Sequence, residues 1–136
     1  MLCFLWLVLG LIAAAPLLWF VNKLSNNLAH LVLGVSLVVA AILYLVFALV
    51  MGDLTWVFIE VVGLPIYGFF YWLSYRYSIV WLSVGWFLHP VWDVLLHLCG
   101  PGNEVVPAWY SVACVSFDIA LGVYILYRFR RIPENA

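Results

Sequence analysis

The chain has 136 residues, of which 69% are hydrophobic, 18% are aromatic and only 8% are charged, with a formal net charge of −1. Because a soluble domain carries roughly 25% charged residues, this composition cannot cover a water-facing surface and indicates a polytopic membrane protein. The five lysine and arginine residues provide no basic surface for nucleic acid, so nucleic-acid-binding proteins are excluded.

Five apolar segments follow one another along the chain, each near the ~20 residues that a helix needs to cross a bilayer. They predict helices at about 2–21, 28–51, 54–74, 79–99 and 109–127. Lipid offers the backbone no hydrogen-bond partner, which favours helices, and the short connections place neighbours antiparallel. The predicted fold is therefore all-α: one domain over residues 1–136, formed by five transmembrane helices in a bundle. The first segment lacks the basic start of a cleaved signal peptide and is interpreted as a retained helix.

The positive charges predict the orientation of this bundle. Lys23 lies in the first connection, Arg76 lies in the third, and Arg128, Arg130 and Arg131 follow the last helix. With five antiparallel spans all of these cations fall on one side, which the positive-inside rule makes cytoplasmic. The N-terminus is therefore predicted outside and the C-terminus inside.

The fourth segment carries His89, Asp93 and His97 at positions i, i+4 and i+8 of one helix. Ionisable side chains inside an apolar span are costly and usually mark a working site. At ~1.5 Å per helical residue, Asp93 and Glu60 lie ~9 Å below the outer surface, His97 lies ~3 Å below it and His89 ~15 Å below it. Asp118, on the last helix, lies ~12–14 Å deep.

These five residues (Glu60, His89, Asp93, His97 and Asp118) are the candidate catalytic groups, expected to meet in the outer half of the membrane. No lysine or arginine shares their depth. Some of the acids must therefore stay protonated, or the histidines carry protons, or a cation lies between them. The structural alternative is that they only hydrogen-bond across helices, each contributing about 0.6–2 kcal/mol.

A divalent metal such as zinc is one way to neutralise this cluster. His89 and His97 lie ~12 Å apart on an ideal helix, too far to share one ion, so the candidate ligands are Asp93 with His97 or His89, plus Glu60 or Asp118. Pro90 removes a backbone donor and predicts a kink beside His89, which would shorten that separation. Haem is not expected, because two haem ligands must lie at one depth and His30 lies at the cytoplasmic end, far from His89. A structural role is predicted for His30.

Trp86, Trp92 and Tyr67 are the candidates for lining a substrate pocket beside these groups. Asp53 and Glu104 are interpreted as solvated loop acids, with Glu104 also able to cover the outer mouth. The three cysteines, Cys3, Cys99 and Cys114, have no zinc-site spacing and are predicted as small buried hydrophobes. A disulfide between Cys99 and Cys114 is the alternative for that pair.

The stretch from Gly85 to Gly100 has the pattern Gly-Trp-x-Leu-His-x-x-Trp-Asp-x-x-x-His-x-x-Gly. On this motif, followed by Pro107, Cys114 and Asp118, the chain resembles domain-of-unknown-function family 6010, a family of small bacterial integral membrane proteins. The resemblance covers Leu54 to Arg128 and omits the first helix. It implies a location in the bacterial inner (plasma) membrane and supplies no activity.

The sequence departs from that family at Leu96, where a second histidine often precedes the last histidine of the motif; this weakens the case for a paired-histidine metal site. A looser likeness is to the superfamily of the sterol isomerases and the sigma-two receptor. Those bundles place a His-x-x-x-acid helix and further carboxylates in a lipid-accessible pocket, as His89, Asp93 and Glu60 do in the predicted arrangement.

Three functions are compatible with these features. The first is an intramembrane enzyme that uses acid–base or metal-assisted chemistry on a lipid or isoprenoid. The second is transport or relay of protons or a metal cation, although only His30 and Ser36 would continue a path through the inner half. The third is a non-catalytic accessory subunit, with a homo-oligomer or a membrane complex as the partner.

Overall fold

The computed structural model describes residues 2–98, 100 and 105–130. It contains five α-helices: α1 (Leu2–Asn22), α2 (Asn26–Met51), α3 (Leu54–Arg76), α4 (Val80–Trp92) and α5 (Ala108–Phe129). A six-residue π-helix, the π segment (Asp93–Leu98), follows α4 directly. The all-α prediction is confirmed.

Local capping explains why the helices begin and end a little away from the predicted positions. The Ser25 hydroxyl accepts a hydrogen bond from the Leu28 N–H, so α2 begins at Asn26, two residues before the apolar run. The Asp53 carboxylate accepts one from the Trp56 N–H at 3.2 Å and starts α3 as predicted. Asp53 therefore acts as a helix cap as well as a loop acid.

The fourth helix differs most from the sequence prediction. Its α-helical part is 13 residues long and continues unbroken through Pro90 to Trp92, where the winding changes from α to π. The Asp93 N–H is shared between the carbonyls of His89 and Pro90 at this transition. The regular helix predicted to end at Cys99 is therefore divided, and Cys99 itself lies outside the described residues.

Within the described part of the chain, four helices are long and apolar enough to cross a membrane: α1, α2, α3 and α5. The helices pack in the lateral order α1, α5, α4, α3, α2, while α1 and α2 touch each other only sparingly. The shared core contains fully buried side chains such as Leu33, Leu82 and Leu121. This order places α5 beside both α1 and α4, and leaves a gap between α1 and α2.

Gly10 sets the close approach of α1 and α5. A Cβ atom at this position would collide with the Ala113 carbonyl oxygen and the Ser116 hydroxyl. The Ser116 hydroxyl also donates a hydrogen bond to the Leu7 carbonyl at 2.7 Å. The contact therefore needs a residue without a side chain, as is typical of small-residue interfaces between apolar helices.

Arg128 joins the end of α5 to the connection between α1 and α2. Its guanidinium donates to the carbonyls of Val21 and Leu24, both at 2.6 Å, and to the Tyr124 hydroxyl at 3.0 Å. Those carbonyls belong to the end of α1 and to the turn after it, where the backbone has few helical partners of its own.

Replacing Arg128 with glutamine is expected to destabilise the protein by about 2 kcal/mol, because charge-assisted hydrogen bonds to two carbonyls are lost at a half-buried site. Thermal unfolding in detergent, followed by tryptophan fluorescence, measures the effect. Arg130→Gln is the matched control, since Arg130 is exposed and only lies over the Tyr127 ring at 4.7 Å. Equal unfolding temperatures for the two variants would contradict this role of Arg128.

Candidate functional site

Five acidic and imidazole side chains are buried together in the described structure. Glu60 comes from α3, His89 from α4, Asp93 and His97 from the π segment, and Asp118 from α5. None of them is more than 3% exposed to solvent. The structure divides them into two groups that face different neighbouring helices.

The first group, the His89 cluster, consists of His89, Asp93 and Asp118. The His89 Nδ1 atom lies 2.7 Å from Asp118 Oδ2 and 3.3 Å from Asp93 Oδ2. The Asp118 contact has hydrogen-bond geometry, whereas neither Asp93 oxygen has a hydrogen-bond partner among the described residues. Nδ1 carries at most one hydrogen, and the shorter contact uses it, so Asp93 is left buried with the longer ion-pair contact to His89 and without a hydrogen bond.

In the second group, the His97–Glu60 pair, each carboxylate oxygen of Glu60 has a hydrogen-bond partner. The His97 Nε2 atom lies 2.6 Å from Glu60 Oε1, and the Trp92 Nε1–H donates to Glu60 Oε2 at 3.3 Å. Gly63, three residues after Glu60 on α3, makes room for the indole, since a Cβ there would lie 3.1 Å from Trp92 Cζ2. Both Glu60 oxygens are thereby fixed in position.

Aromatic rings separate the two groups. The Tyr44 ring, from α2, lies 5.4 Å from the His89 ring and 5.0 Å from the His97 ring, measured between centroids. The Tyr67 ring, from α3, lies 4.9 Å from the His89 ring on an edge. These contacts restrict how far either imidazole can turn.

Tyr44 lies at the site although the sequence did not single it out. It is 1% exposed, and its hydroxyl has no hydrogen-bond partner in the described part of the chain. The available signal was a lone aromatic hydroxyl in the second half of α2, where the neighbouring side chains are apolar. Ser111, on α5, also carries a buried hydroxyl without a described partner and was not singled out as a site residue.

Two of the three residues expected to line a pocket, Tyr67 and Trp92, contact the site residues, and the third, Trp86, lies in the apolar core. Trp86 is fully buried and donates its indole N–H to the Leu33 carbonyl at 3.3 Å. Tyr67 and Trp92 lie edge to face, 6.3 Å apart between centroids, beside the imidazole of His89 and the carboxylate of Glu60 respectively. They hold the site residues from the α3 and α4 side.

An apolar groove reaches the site from the opposite side, at the gap between α1 and α2. Its volume is about 540 Å³. Asp118 is the one ionisable carboxylate among the groove residues, and it is also the partner of His89. Three helices form the lining: Leu9, Gly10, Ala13 and Leu17 of α1; Val35, Ser36, Val39, Ala40 and Leu43 of α2; and Trp109, Tyr110, Ala113, Cys114, Phe117 and Asp118 of α5.

The residues expected as metal ligands divide between the two groups. Asp93 and Asp118 lie with His89, and these three offer ligand atoms within 4.8 Å of one another. Glu60 and His97 instead pair with each other. The structure thus brings His89, rather than His97, to the two aspartates.

Several expectations concern residues away from this site. The His30 Nε2 atom lies 2.6 Å from the Ser74 hydroxyl, and the imidazole stacks on Tyr75, in agreement with a structural role. Cys114 is a free cysteine and is half-buried. Cys99, Glu104 and Arg131 lie outside the described residues. The predicted disulfide between Cys99 and Cys114 and the predicted cover by Glu104 over the outer mouth therefore stay predictions.

A model of the family of unknown function DUF6010 matches residues 5–131. The chain belongs to DUF6010. Because the match includes nearly all of α1, the expectation that the resemblance omits the first helix was wrong. Comparison of this DUF6010 protein with curated proteins and with solved structures finds no significant match.

Proposed function

We propose that this DUF6010 protein is an integral membrane enzyme that performs acid–base chemistry on the polar end of a lipid or isoprenoid. The observation that supports this most directly is the double role of Asp118. Asp118 is among the residues that line the apolar groove, and its carboxylate forms the 2.7 Å contact with the buried His89. A substrate chain in the groove would therefore bring its polar end to a paired acid and base.

The membrane placement is supported by the distribution of apolar and charged residues. Four helices are apolar and long enough to span, and α4 with the π segment supplies the fifth span. Large apolar side chains are exposed along the helices, Leu54 at 86% and Phe58 at 69% among them. In water such a surface would cause aggregation, whereas in lipid it costs nothing.

The cations support the orientation with the N-terminus outside. Arg128 bonds directly to carbonyls at the α1–α2 connection, so the end of α5 and Lys23 lie at one end of the bundle. Arg76 ends α3 at that same end if the helices alternate in direction. By the positive-inside rule this end is cytoplasmic, and the His89 cluster and the His97–Glu60 pair lie in the half nearer the outside of the bacterial inner membrane.

The roles follow from the geometry. Asp118 lies at the wall of the groove and would exchange the proton with a substrate that reaches its carboxylate, while His89 would accept or return that proton through Nδ1. Proton transfer by a positioned side chain typically contributes 10²–10⁴-fold to a rate, and the contacts with Tyr44 and Tyr67 hold the imidazole in place for it. The tight His97–Glu60 pair would fix the π segment that carries Asp93.

The groove is tested by filling it. Ala13→Phe places a ring among its apolar walls and is expected to reduce a specifically co-purified lipid by at least about tenfold, since the added side chain occupies the space of several methylenes. Mass spectrometry of lipid extracted from the detergent-purified protein measures the retained lipid.

Ala15→Phe is the matched control for that measurement. Ala15 is also an exposed alanine of α1, but it does not line the groove. We expect this variant to retain lipid as the unmodified protein does. Equal retention by both variants, or a co-purified mixture identical to the bulk membrane, would contradict a substrate groove.

A further inference from the structure

We propose that His89, Asp93 and Asp118 form a binding site for a divalent transition-metal ion, with Zn²⁺ and Mn²⁺ as the best-fitting ions. This proposal concerns the same cluster as the proposed enzyme, but it does not require that the groove binds lipid. If both proposals hold, His89 would bind the ion instead of taking the proton, and the ion would bind or polarise the polar end of the substrate where the groove meets Asp118.

The positions of the ligand atoms support the site. One nitrogen and one oxygen from each of two carboxylates lie within 4.8 Å of one another, a spacing that small rotations of the side chains close around an ion. They come from α4, the π segment and α5, so the ion would join three separate elements. Each of the three side chains is at most 1% exposed.

Asp93 provides the second, independent observation. It is fully buried, and both of its oxygens lack a hydrogen-bond partner among the described residues. A buried carboxylate without a partner is strongly unfavourable, and such groups are normally paired or coordinate a metal. His89 cannot satisfy it, because its Nδ1 lies closer to Asp118, 2.7 Å against 3.3 Å.

The charge of the His89 cluster also favours a bound cation. Two carboxylates face one imidazole, and the ion pairs of Asp93 and Asp118 in the described residues involve only His89. A bound divalent cation would neutralise both carboxylates and leave the imidazole neutral, as a metal ligand must be. A single proton on His89 would neutralise only one of them.

The donor set narrows the choice of metal. Two carboxylate oxygens suit Mn²⁺ and other oxygen-preferring ions, whereas an imidazole nitrogen suits Zn²⁺ and its neighbours. Three protein ligands leave at least one coordination position open, the arrangement typical of catalytic rather than structural sites.

Metal analysis of the full-length protein is the direct test. The protein is purified in detergent through a tag without histidine, loaded with Zn²⁺ or Mn²⁺, freed of excess metal and measured by plasma mass spectrometry. We expect about one ion per chain. Loading with Co²⁺ should give visible absorption bands from a nitrogen- and oxygen-ligated ion, and this readout needs no variant.

Asp93→Asn is a more specific test than metal analysis, because the variant should be less stable than the unmodified protein when metal is bound and more stable when metal is removed. In metal-loaded protein the variant is expected to bind at least about tenfold less metal and to unfold at a lower temperature than the unmodified protein. In chelator-treated protein it should unfold several degrees higher, because a buried charge that accepts no hydrogen bond has been removed.

Asp53→Asn is the control, since Asp53 is an exposed cap of α3 outside the two buried groups and makes the same change of carboxylate to amide. It is expected to retain metal at the level of the unmodified protein. The proposal is overturned if the unmodified protein folds but holds less than about a tenth of an equivalent of Zn²⁺ and Mn²⁺ and shows no Co²⁺ bands, or if Asp53→Asn and Asp93→Asn lose metal alike. Neither outcome depends on lipid retention, so failure of this site and failure of the groove are separate results.

Discussion

Asp118→Asn is expected to abolish the proposed enzymatic activity, with a loss of at least about 100-fold. The asparagine amide retains the size of the side chain and can still hydrogen-bond to the His89 Nδ1 atom, so folding is preserved. It cannot exchange a proton with a substrate in the groove. The measurement compares the membrane lipids of cells that express the unmodified protein, the variant or neither, by mass spectrometry.

Asp53→Asn is the matched control for this experiment. Asparagine caps a helix about as well as aspartate, so the cap that Asp53 forms on the Trp56 N–H is retained. Cells with this variant should show the lipid change of the unmodified protein. A lipid change that persists in Asp118→Asn would contradict the role of Asp118, and no change with the unmodified protein would contradict an enzyme of lipids.

Glu60→Ala is expected to lower the free energy of unfolding by about 3 kcal/mol, within the range for removing one partner of a buried pair. The change leaves two buried donors behind, His97 Nε2 and Trp92 Nε1. It also removes the contact that fixes the π segment against α3. Unfolding of the detergent-solubilised protein, followed by tryptophan fluorescence, gives the value.

Glu60→Gln should lose distinctly less, because the amide oxygen still accepts one hydrogen bond. The comparison decides between two descriptions of the pair. A loss below about 1 kcal/mol for Glu60→Ala would match an ordinary hydrogen bond between apolar helices. In that case the His97–Glu60 pair would be one weak contact among many rather than the support of the site.

Much of the architecture follows directly from composition. The positions of all five apolar segments are visible in the sequence, because each is a run of apolar side chains bounded by polar or turn residues. Their ends are less predictable, since one side chain decides them: the Ser25 cap begins α2 at Asn26, ahead of the apolar run.

Which residues belong to the site was easier to predict than which carboxylate contacts which histidine. Counting residues from the ends of the helices placed Glu60 level with Asp93, but Glu60 contacts His97 instead. The π segment was not predictable, because the choice between α and π winding depends on packing and on side-chain partners from α3 and α5. Rotation of the backbone by a fraction of a turn changes which carboxylate an imidazole meets.

The groove also depends on packing that no local pattern reveals. Sequence analysis placed the pocket beside Trp86, Trp92 and Tyr67, which are large aromatic residues near the ionisable groups. The groove instead lies between α1 and α2, because α1 packs closely against α5 at Gly10 and makes few contacts with α2. Small residues in α1 and α5, such as Ala13 and Ala113, form part of its wall.

The winding of the π segment makes the site sensitive to the length of the chain between its anchors. A π turn accommodates one more residue than an α turn, and such turns occur most often at functional positions. Deleting any one of Val94, Leu95 or Leu96 would allow regular α-helix to form with His97 on nearly the same face, because the deletion removes the extra residue that the π turn accommodates. A one-residue insertion has no such compensation and would turn His97 by about 100° relative to Asp93, away from Glu60. Exchanging these residues for other apolar ones preserves the spacing, so insertions here should be excluded more strictly than deletions or substitutions.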